Sequence, residues 1–500
     1  MNTGIQFDKT ALFPVFFLGK GGFMDFLNAV VGSINDFLWT YIIIVVLVGC
    51  GLWFTVSTRL VQLRALPEMV RLLTGELGRR PSGRKAISSF QAFCVSTASR
   101  VGVGNIAGVA IAIVTGGPGA VFWMWVIAFI GTATGFVEST LAQIYKIPRG
   151  HGLFHGGPAY YIQNALGQPA VAKLFAVLIS VTFGLIYVSV QANTIALSME
   201  KAFGVDTWVM GGILAVLSGA VIFGGIWRIA HVTTLLVPFM AGLYLLIALV
   251  IVILHIDAVP GMFALILHDA FSPQAAVGGG MGTVVLTGIR RGLFSNEAGE
   301  GSIPNAAATA NVTHPVKQGL VQAFGVYVDT WVVCSATAFI VLLTGQYTIG
   351  GNTTGIALAQ DSLASVFGGG ASALLAVLIF LFAFSSVVGN YYYGEINIHF
   401  FGENTRRALF IYRLAVVGMV LFGCVAALNL VWNLADLFMA MICLTNLYAI
   451  ARLAPLARIA LADYFAQKAA GKNPIFDPAI MPHQHGITAW DEEQFRAQKH

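Results

Sequence analysis

Charge is what this 500-residue chain has least of: Asp, Glu, Lys and Arg together make up 10% of it, against about 25% in an ordinary soluble domain. A soluble enzyme of this size could not cover its surface with so few charges, so that class is excluded. Hydrophobic types reach 57% and the mean hydropathy is +0.80, so the natural solvent is a bilayer. Cysteine is scarce too. Cys50, Cys94, Cys334, Cys424 and Cys443 lie in or beside apolar runs, with no CxxC pair and no Cys/His cluster, and read as small hydrophobes inside helices. His231, His255 and His268 stand apart from one another, so no transition-metal site is expected. No HExxH, GxSxG or GxxxxGK[ST] string is present, which argues against metalloprotease, serine-hydrolase and ATP-driven chemistry. The net charge of +5 comes with no basic face interleaved with aromatics, so no nucleic-acid partner is expected. The first 25 residues lack the basic start and cleavage site of a signal peptide. Residues 11–31 mix Phe with Lys20, Asp25 and Gly and read as an interfacial amphipathic piece.

What is present is a series of long apolar runs. A helix needs about 20 such residues to cross the hydrocarbon. Eleven candidates occur, at roughly 36–57, 87–114, 119–145, 171–200, 207–227, 229–255, 283–312, 319–345, 371–394, 408–428 and 431–451. The expected organisation is an N-terminal interfacial segment (1–35), one transmembrane domain (36–451) and a polar C-terminal tail (452–500). Two longer links, about 256–282 and 346–370, carry Gly, Ser and Thr and are expected to hold short surface helices. Of the 27 Lys and Arg, only Lys9, Lys20 and Lys201 fall on one side, Arg100, Arg290 and Arg291 fall within spans, and the other 21 fall on the opposite side. That side is therefore expected to be cytoplasmic, with the N-terminus outside and the C-terminus inside.

Two spans are unlike the rest. The second carries Gly102, Gly104 and Gly108 around Asn105, and the seventh carries Gly292, Gly299, Gly301 and Pro304 around Asn296. Gly costs about 1 kcal/mol and Pro about 3 kcal/mol in a helix interior, so neither is a smooth helix. Broken backbone at membrane depth survives only where it is buried in protein or lines a cavity. With the first span set aside, ten remain, and the interrupted pair open each set of five. Five is odd, so the second set starts on the opposite face and the repeat is inverted. Paired interruptions of this kind point to a transporter's binding site.

Half-helix N-termini suit a carboxylate; unwound carbonyls and half-helix C-termini suit a cation or an ammonium. An amino-acid zwitterion meets both needs. Glycines 102 and 104 leave backbone N–H groups unshielded. Polar residues at membrane depth gather nearby: Gln191 and Asn193, Asp329 and Thr330, Ser385 and Ser386. Asp329 either ligates a hard cation or pairs with Arg290 or Arg291. Ser385 and Ser386 either face the site or bond back to their own helix. Glu138 and Glu395, close to helix ends, read as structural.

The strings NIAGVA, GGPGAVFWMW and FSNEAG, with HGGPAYYIQNALG, VQANTIA, VDTWVVC and FSSVVGNYYYGE, resemble the alanine/glycine:cation symporter family over about residues 25–465. The resemblance implies an all-α integral membrane protein with about 11 transmembrane helices. Its fold would be one extra N-terminal helix plus a five-plus-five inverted repeat of the leucine-transporter type with two broken helices. It implies import of alanine or glycine with Na+ across a bacterial-type cytoplasmic membrane by alternating access, with no organic cofactor. On that reading Gly102 and Gly104 meet the substrate carboxylate, Gln191 and Asn193 face substrate, and Phe294, Ser295 and Asn296 form the second unwound segment. The sodium-binding set is Ser99, Asn105, Asp329, Ser385 and Ser386. Two departures stand out: Val103 where many members have a hydroxyl, and Glu300 where an apolar residue is common. Glu300 could pair with Arg290 or Arg291, or alter cation preference. A proton-coupled carrier using Asp329 or Glu300, and a symporter of glutamine or serine, are the alternatives.

Overall fold

The structure is a computed structural model and describes residues 20–75, 86–150, 152–223, 225–272, 282–402 and 405–490. Helix dominates. The first, α1, runs without a break from Lys20 to Ser57 and contains the apolar span Asn28–Ser57. The expected boundary at residue 35 falls inside it, and residues 1–19 of the expected interfacial segment lie outside the described residues. Then come α2a (Ser89–Arg100) and α2b (Gly104–Gly116), bent by 50° at their junction, α3 (Ala120–Ile144), α4 (Pro169–Phe203), α5 (Thr207–Ile222) and α6 (Gly225–Leu254). The second half begins with α7a (Thr283–Asn296) and α7b (Ile303–Ala307), followed by α8 (Pro315–Thr344), α9 (Gly370–His399), α10 (Arg406–Val425) and α11 (Leu428–Ala469).

Among the described residues, eight helices are long and apolar enough to cross a bilayer, and the bent α2 pair makes nine. The other two expected spans are present in altered form. Helix α5 is apolar but has only 16 residues, and α7 is interrupted by six residues that are not α-helical. An apolar window finds both, but cannot say how much of the window is helix.

Local chemistry sets the ends. Ser88 and Gln91 form a reciprocal capping box at the start of α2a. Asp206 caps α5 through the N–H groups of Trp208 and Val209, and prolines open α4 and α8. The links expected to carry surface helices contain Val259–Ala270 and Gly355–Phe367.

Helix α11 is longer than the sequence reading allowed. Its 42 residues rise about 1.5 Å each, so it is about 63 Å long, twice the hydrocarbon thickness of about 30 Å. The expected tail therefore begins as a continuation of the helix, because residues 453–469 are dominated by Ala and Leu, strong helix formers, even with Pro455 among them. Its far end meets the link after α1. There Glu68 accepts hydrogen bonds from Arg71, Tyr464 and Lys468. Burial opposes ionisation of Glu68, and these donors overcome it, holding the carboxyl at about 2. Beyond α11 the chain returns across the end of the bundle. The Phe476 N–H bonds to the Thr313 carbonyl at 2.9 Å, and the Trp490 indole bonds to the Gln143 carbonyl at 3.1 Å. At the other end α1 is tied to α11 by Asn35 to the Asn433 carbonyl (2.8 Å) and by Asn433 to Asn28 (2.7 Å).

Candidate functional site

The two breaks cross. Helix α2a ends at Arg100, and the chain resumes through a wide π-helical turn, Gly104–Gly108. Two further π-helical stretches flank the crossing, Thr182–Tyr187 in α4 and Tyr327–Cys334 in α8. Such turns shift the register of side chains and free carbonyls, and they recur at functional sites. A Cβ on residue 104 would lie 3.0 Å from the Phe294 ring and 3.2 Å from Ser295 Cα, so glycine is what lets the two breaks touch. A Cβ on residue 102 would collide with Ser386 Oγ and lie 3.0 Å from Gln191 Oε1.

The free N–H groups of the first break are held by side chains. The Gly102 N–H donates to Asn105 Oδ1 at 2.9 Å, and the Val103 N–H donates to Gln191 Oε1 at 3.1 Å. These are the donors a carboxylate would take over. Asn105 in turn donates from Nδ2 to Asp329 Oδ1 (2.7 Å) and Ser295 Oγ (2.9 Å). Asp329 Oδ2 accepts from Ser295 Oγ (2.7 Å) and Thr330 Oγ1 (3.0 Å). One network therefore joins both breaks to α8, and its side chains are fully buried apart from Gln191 at 3%.

The alternative of an Asp329 ion pair with Arg290 or Arg291 is not what the structure shows. Both arginines turn to Asp436 on α11, Arg291 closely and Arg290 at 3.4 Å. Glu300 does not pair with them either; it accepts from the Tyr187 hydroxyl at 3.0 Å.

Not every expected site residue converges. Both serines bond back to the Phe382 carbonyl, at 2.8 and 3.1 Å; Ser386 also reaches the Ala98 carbonyl of α2a at 2.9 Å, whereas Ser385 faces Met240 of α6. Asn193 holds the carbonyls of Gly423 and Ala426 in α10, at 2.9 and 2.8 Å. Asn296 caps the Ala298 N–H at 3.0 Å and donates to Thr330 Oγ1 at 3.3 Å. Ser99 lies one turn below the crossing, 2.8 Å from Glu297.

Above the crossing, the Phe294 ring packs against Tyr187 and Trp432, both at 4.8 Å between centroids. The Arg291 guanidinium covers Trp432 at 4.7 Å. Over this lid opens a cavity of about 510 Å³, lined by Thr287, Arg290, Arg291, Trp432 and Asp436 among others. Removing the carboxylate takes the acidic partner from one buried guanidinium, Arg291, and one partly buried, Arg290. Asp436→Ala is therefore expected to lose about 3–5 kcal/mol of stability, read as a lowered thermal midpoint in detergent, with Asp436→Glu near wild type.

Below the crossing lies a group the sequence reading missed. Glu297 ends α7a with φ +56°, a left-handed conformation that costs a non-glycine residue about 1–2 kcal/mol and that marks functional segments. Gly299 and Gly301 follow with φ +100° and +77°. Glu138 accepts from the Gly299 N–H (3.2 Å) and from Asn446 (2.8 Å), so it clamps the break from α3. This fits its structural reading. Among the described residues no His/Cys/Asp/Glu group is arranged to hold a transition metal.

Two broken helices crossing inside a bundle of apolar spans, with a buried polar network at the crossing, define a secondary transporter. A crystal structure of MhsT in complex with L-phenylalanine has the same fold, with a TM-score of 0.56 at 13% identity over 84% of this chain and 96% of that one. The profile of the sodium:alanine symporter family matches residues 24–478. GlnT of Bacillus subtilis, a probable sodium/glutamine symporter, is 49% identical over 95% of this chain and 98% of its own length. The sodium/alanine symporter AgcS of Methanococcus maripaludis is 38% identical over 85% of this chain and 94% of its own. The chain belongs to the sodium:alanine symporter family, and it is a multi-pass membrane carrier rather than an enzyme.

Proposed function

We propose that this carrier imports a small neutral amino acid, alanine or glycine, together with Na+ by alternating access. The observation that carries the size of the substrate is the contact between Gly104 and Phe294. With the ring 3.0 Å from where a Cβ would stand, and with Tyr187 and Trp432 behind it, little room remains for a side chain. The substrate carboxylate takes the N–H groups of Gly102 and Val103, displacing Asn105 Oδ1 and Gln191 Oε1. The ammonium takes carbonyls of the second break. Asp329, with Asn105 and Ser295 around it, supplies hard oxygen ligands for Na+. A tenfold Na+ gradient supplies about 1.4 kcal/mol and one charge through 100 mV about 2.3 kcal/mol, together enough for accumulation of roughly several hundred-fold.

Glutamine is the second reading, favoured by the likeness to GlnT. Binding of an amino-acid panel to the purified protein, with and without Na+, separates the two. Tight Na+-dependent binding of alanine and glycine supports the first. Glutamine binding at least tenfold tighter than alanine would replace it.

We further propose that the N-terminus faces outside and the C-terminus the cytoplasm of a bacterial-type inner membrane. The supporting pattern is the clustering of Lys and Arg on one side. A membrane-impermeant maleimide added to intact cells should modify a cysteine placed at Asn352, which is exposed in the link before Gly355–Phe367, and spare one placed at Thr74, exposed at the end of Leu66–Gly75. The reverse pattern would invert the orientation.

A further inference from the structure

We propose that Glu297, Ser99, Asn390 and Ser302 form a second cation-binding cage, on the cytoplasmic side of the crossing, and that its ligand is a coupling Na+. The proposal rests on the sodium-coupled reading above.

Four side chains from three elements meet here. Ser99 Oγ of α2a lies 2.8 Å from Glu297 Oε1 and 2.6 Å from Asn390 Oδ1 of α9. Ser302 Oγ, at the start of α7b, lies 2.5 Å from Glu297 Oε2. All four residues are buried, none more than 3% exposed. With Glu297 ionised, Ser99 has one hydroxyl proton but faces two acceptors, so one of its two short oxygen–oxygen contacts contains no hydrogen. A hard cation between these oxygens converts that repulsion into coordination, and hydroxyl, amide and carboxylate oxygens are the ligands such a cation takes.

Asn390 Nδ2 is buried with no hydrogen-bond partner; the oxygen end of the same amide is the one aimed at Ser99, and that oxygen is the atom that can ligate a cation. The charge balance agrees. Among the described residues no Lys or Arg forms an ion pair with Glu297. Arg100, the nearest in sequence to Ser99, donates instead to Ser96 Oγ (2.7 Å) and Gln322 Oε1 (3.3 Å). A buried carboxylate without a cationic side chain against it is a place for a cation from solution.

Backbone features set the cage up. The left-handed turn at Glu297 carries the carboxylate out of the α7a axis. Gly389 allows α9 to approach so closely that a Cβ there would lie 3.1 Å from Ser99 N and 3.2 Å from Ser99 Cα, which brings Asn390 within reach. The cage is separate from the Asp329 network, whose partners are Asn105, Ser295 and Thr330. A cation held here ties α2a, the second break and α9 together, so its release would free the inner halves of both broken helices.

The test is equilibrium binding of ²²Na+ to the full-length purified protein, at pH 6 and pH 8, for wild type, Glu297→Gln, Asn390→Ala and Asp329→Asn. Thermal melts serve as the check on folding. The expected result is one fewer Na+ bound per protein in Glu297→Gln, and a half-saturating Na+ concentration for that site raised at least about tenfold in Asn390→Ala. Asp329→Asn is expected to weaken a different Na+ site, so that the double variant with Glu297→Gln has both sites impaired at Na+ concentrations that saturate wild type. Unchanged Na+ stoichiometry and affinity in folded Glu297→Gln and Asn390→Ala would overturn the cage. So would variants that keep full Na+ binding and lose only a pH response, because the ligand would then be a proton. Absence of Na+ binding in wild type would overturn the sodium-coupled reading itself, a different outcome from a wild type that binds Na+ and variants that match it. If Glu297→Gln does not fold, Asn390→Ala and Ser302→Ala carry the test.

Discussion

Asp329→Asn is expected to raise the Na+ concentration for half-maximal uptake by about one to two orders of magnitude, in line with the 10–100-fold losses seen when a metal site is weakened. Asp329 accepts from Asn105, Ser295 and Thr330, and Arg290 and Arg291 pair with Asp436 rather than with it. The substitution keeps size and most hydrogen-bonding capacity and removes only the charge. At saturating Na+ the effect on substrate affinity should be milder, because the substrate's own contacts with the first break are untouched. The measurement is a Na+ titration of uptake in proteoliposomes, with thermal stability as a control. An unchanged Na+ dependence in well-folded protein would remove Asp329 from the ion site.

Gly104→Val is expected to abolish transport while leaving the protein inserted and folded. Its Cβ would start 3.0 Å from the Phe294 ring and 3.2 Å from Ser295 Cα, and two methyl groups extend from there. Overpacking of this kind costs about 1–3 kcal/mol, and about 1.4 kcal/mol is already tenfold in binding. Because the same methyl groups occupy the approach to the N–H groups of the break, the loss in uptake should reach about 100-fold or more. Gly104→Ala should be intermediate, since the aromatic ring can give by a few tenths of an ångström. Uptake per inserted molecule, compared with wild type, decides. Near-normal uptake by Gly104→Val would mean that the crossing of the breaks is not the binding site.

Much of this arrangement could be read from the amino-acid order, because membrane burial imposes strong rules. Eleven apolar windows, two of them glycine-interrupted, follow from the cost of unpaired backbone in lipid, and most of the observed helices begin and end near those windows, with α1 and α11 running well past theirs. The partners of individual side chains were harder. Ser385 and Ser386 are adjacent, but successive residues on a helix point about 100° apart. Both bond back to the Phe382 carbonyl, and only Ser386 also meets α2a, a difference fixed by the rotation of α9. Asn193 looked available for substrate, yet it satisfies carbonyls at the end of α10, which lies 230 residues away in sequence. The arginine pair was legible as buried charge, but Asp436 is in the last span and nothing local links it to them. Glu297 was in plain view within FSNEAG. The signal that could have found it is a carboxylate placed between an apolar span and two glycines, where a chain reversal aims it inward.

The central claim is that a Na+ gradient drives a small neutral amino acid through the crossing of α2 and α7. The direct measurement is uptake of labelled alanine into proteoliposomes at a clamped membrane potential, with external Na+ replaced by choline and, separately, by choline plus an inward proton gradient. The account predicts concentrative uptake with Na+ and none in either replacement. Uptake that persists in choline and follows the proton gradient would contradict it.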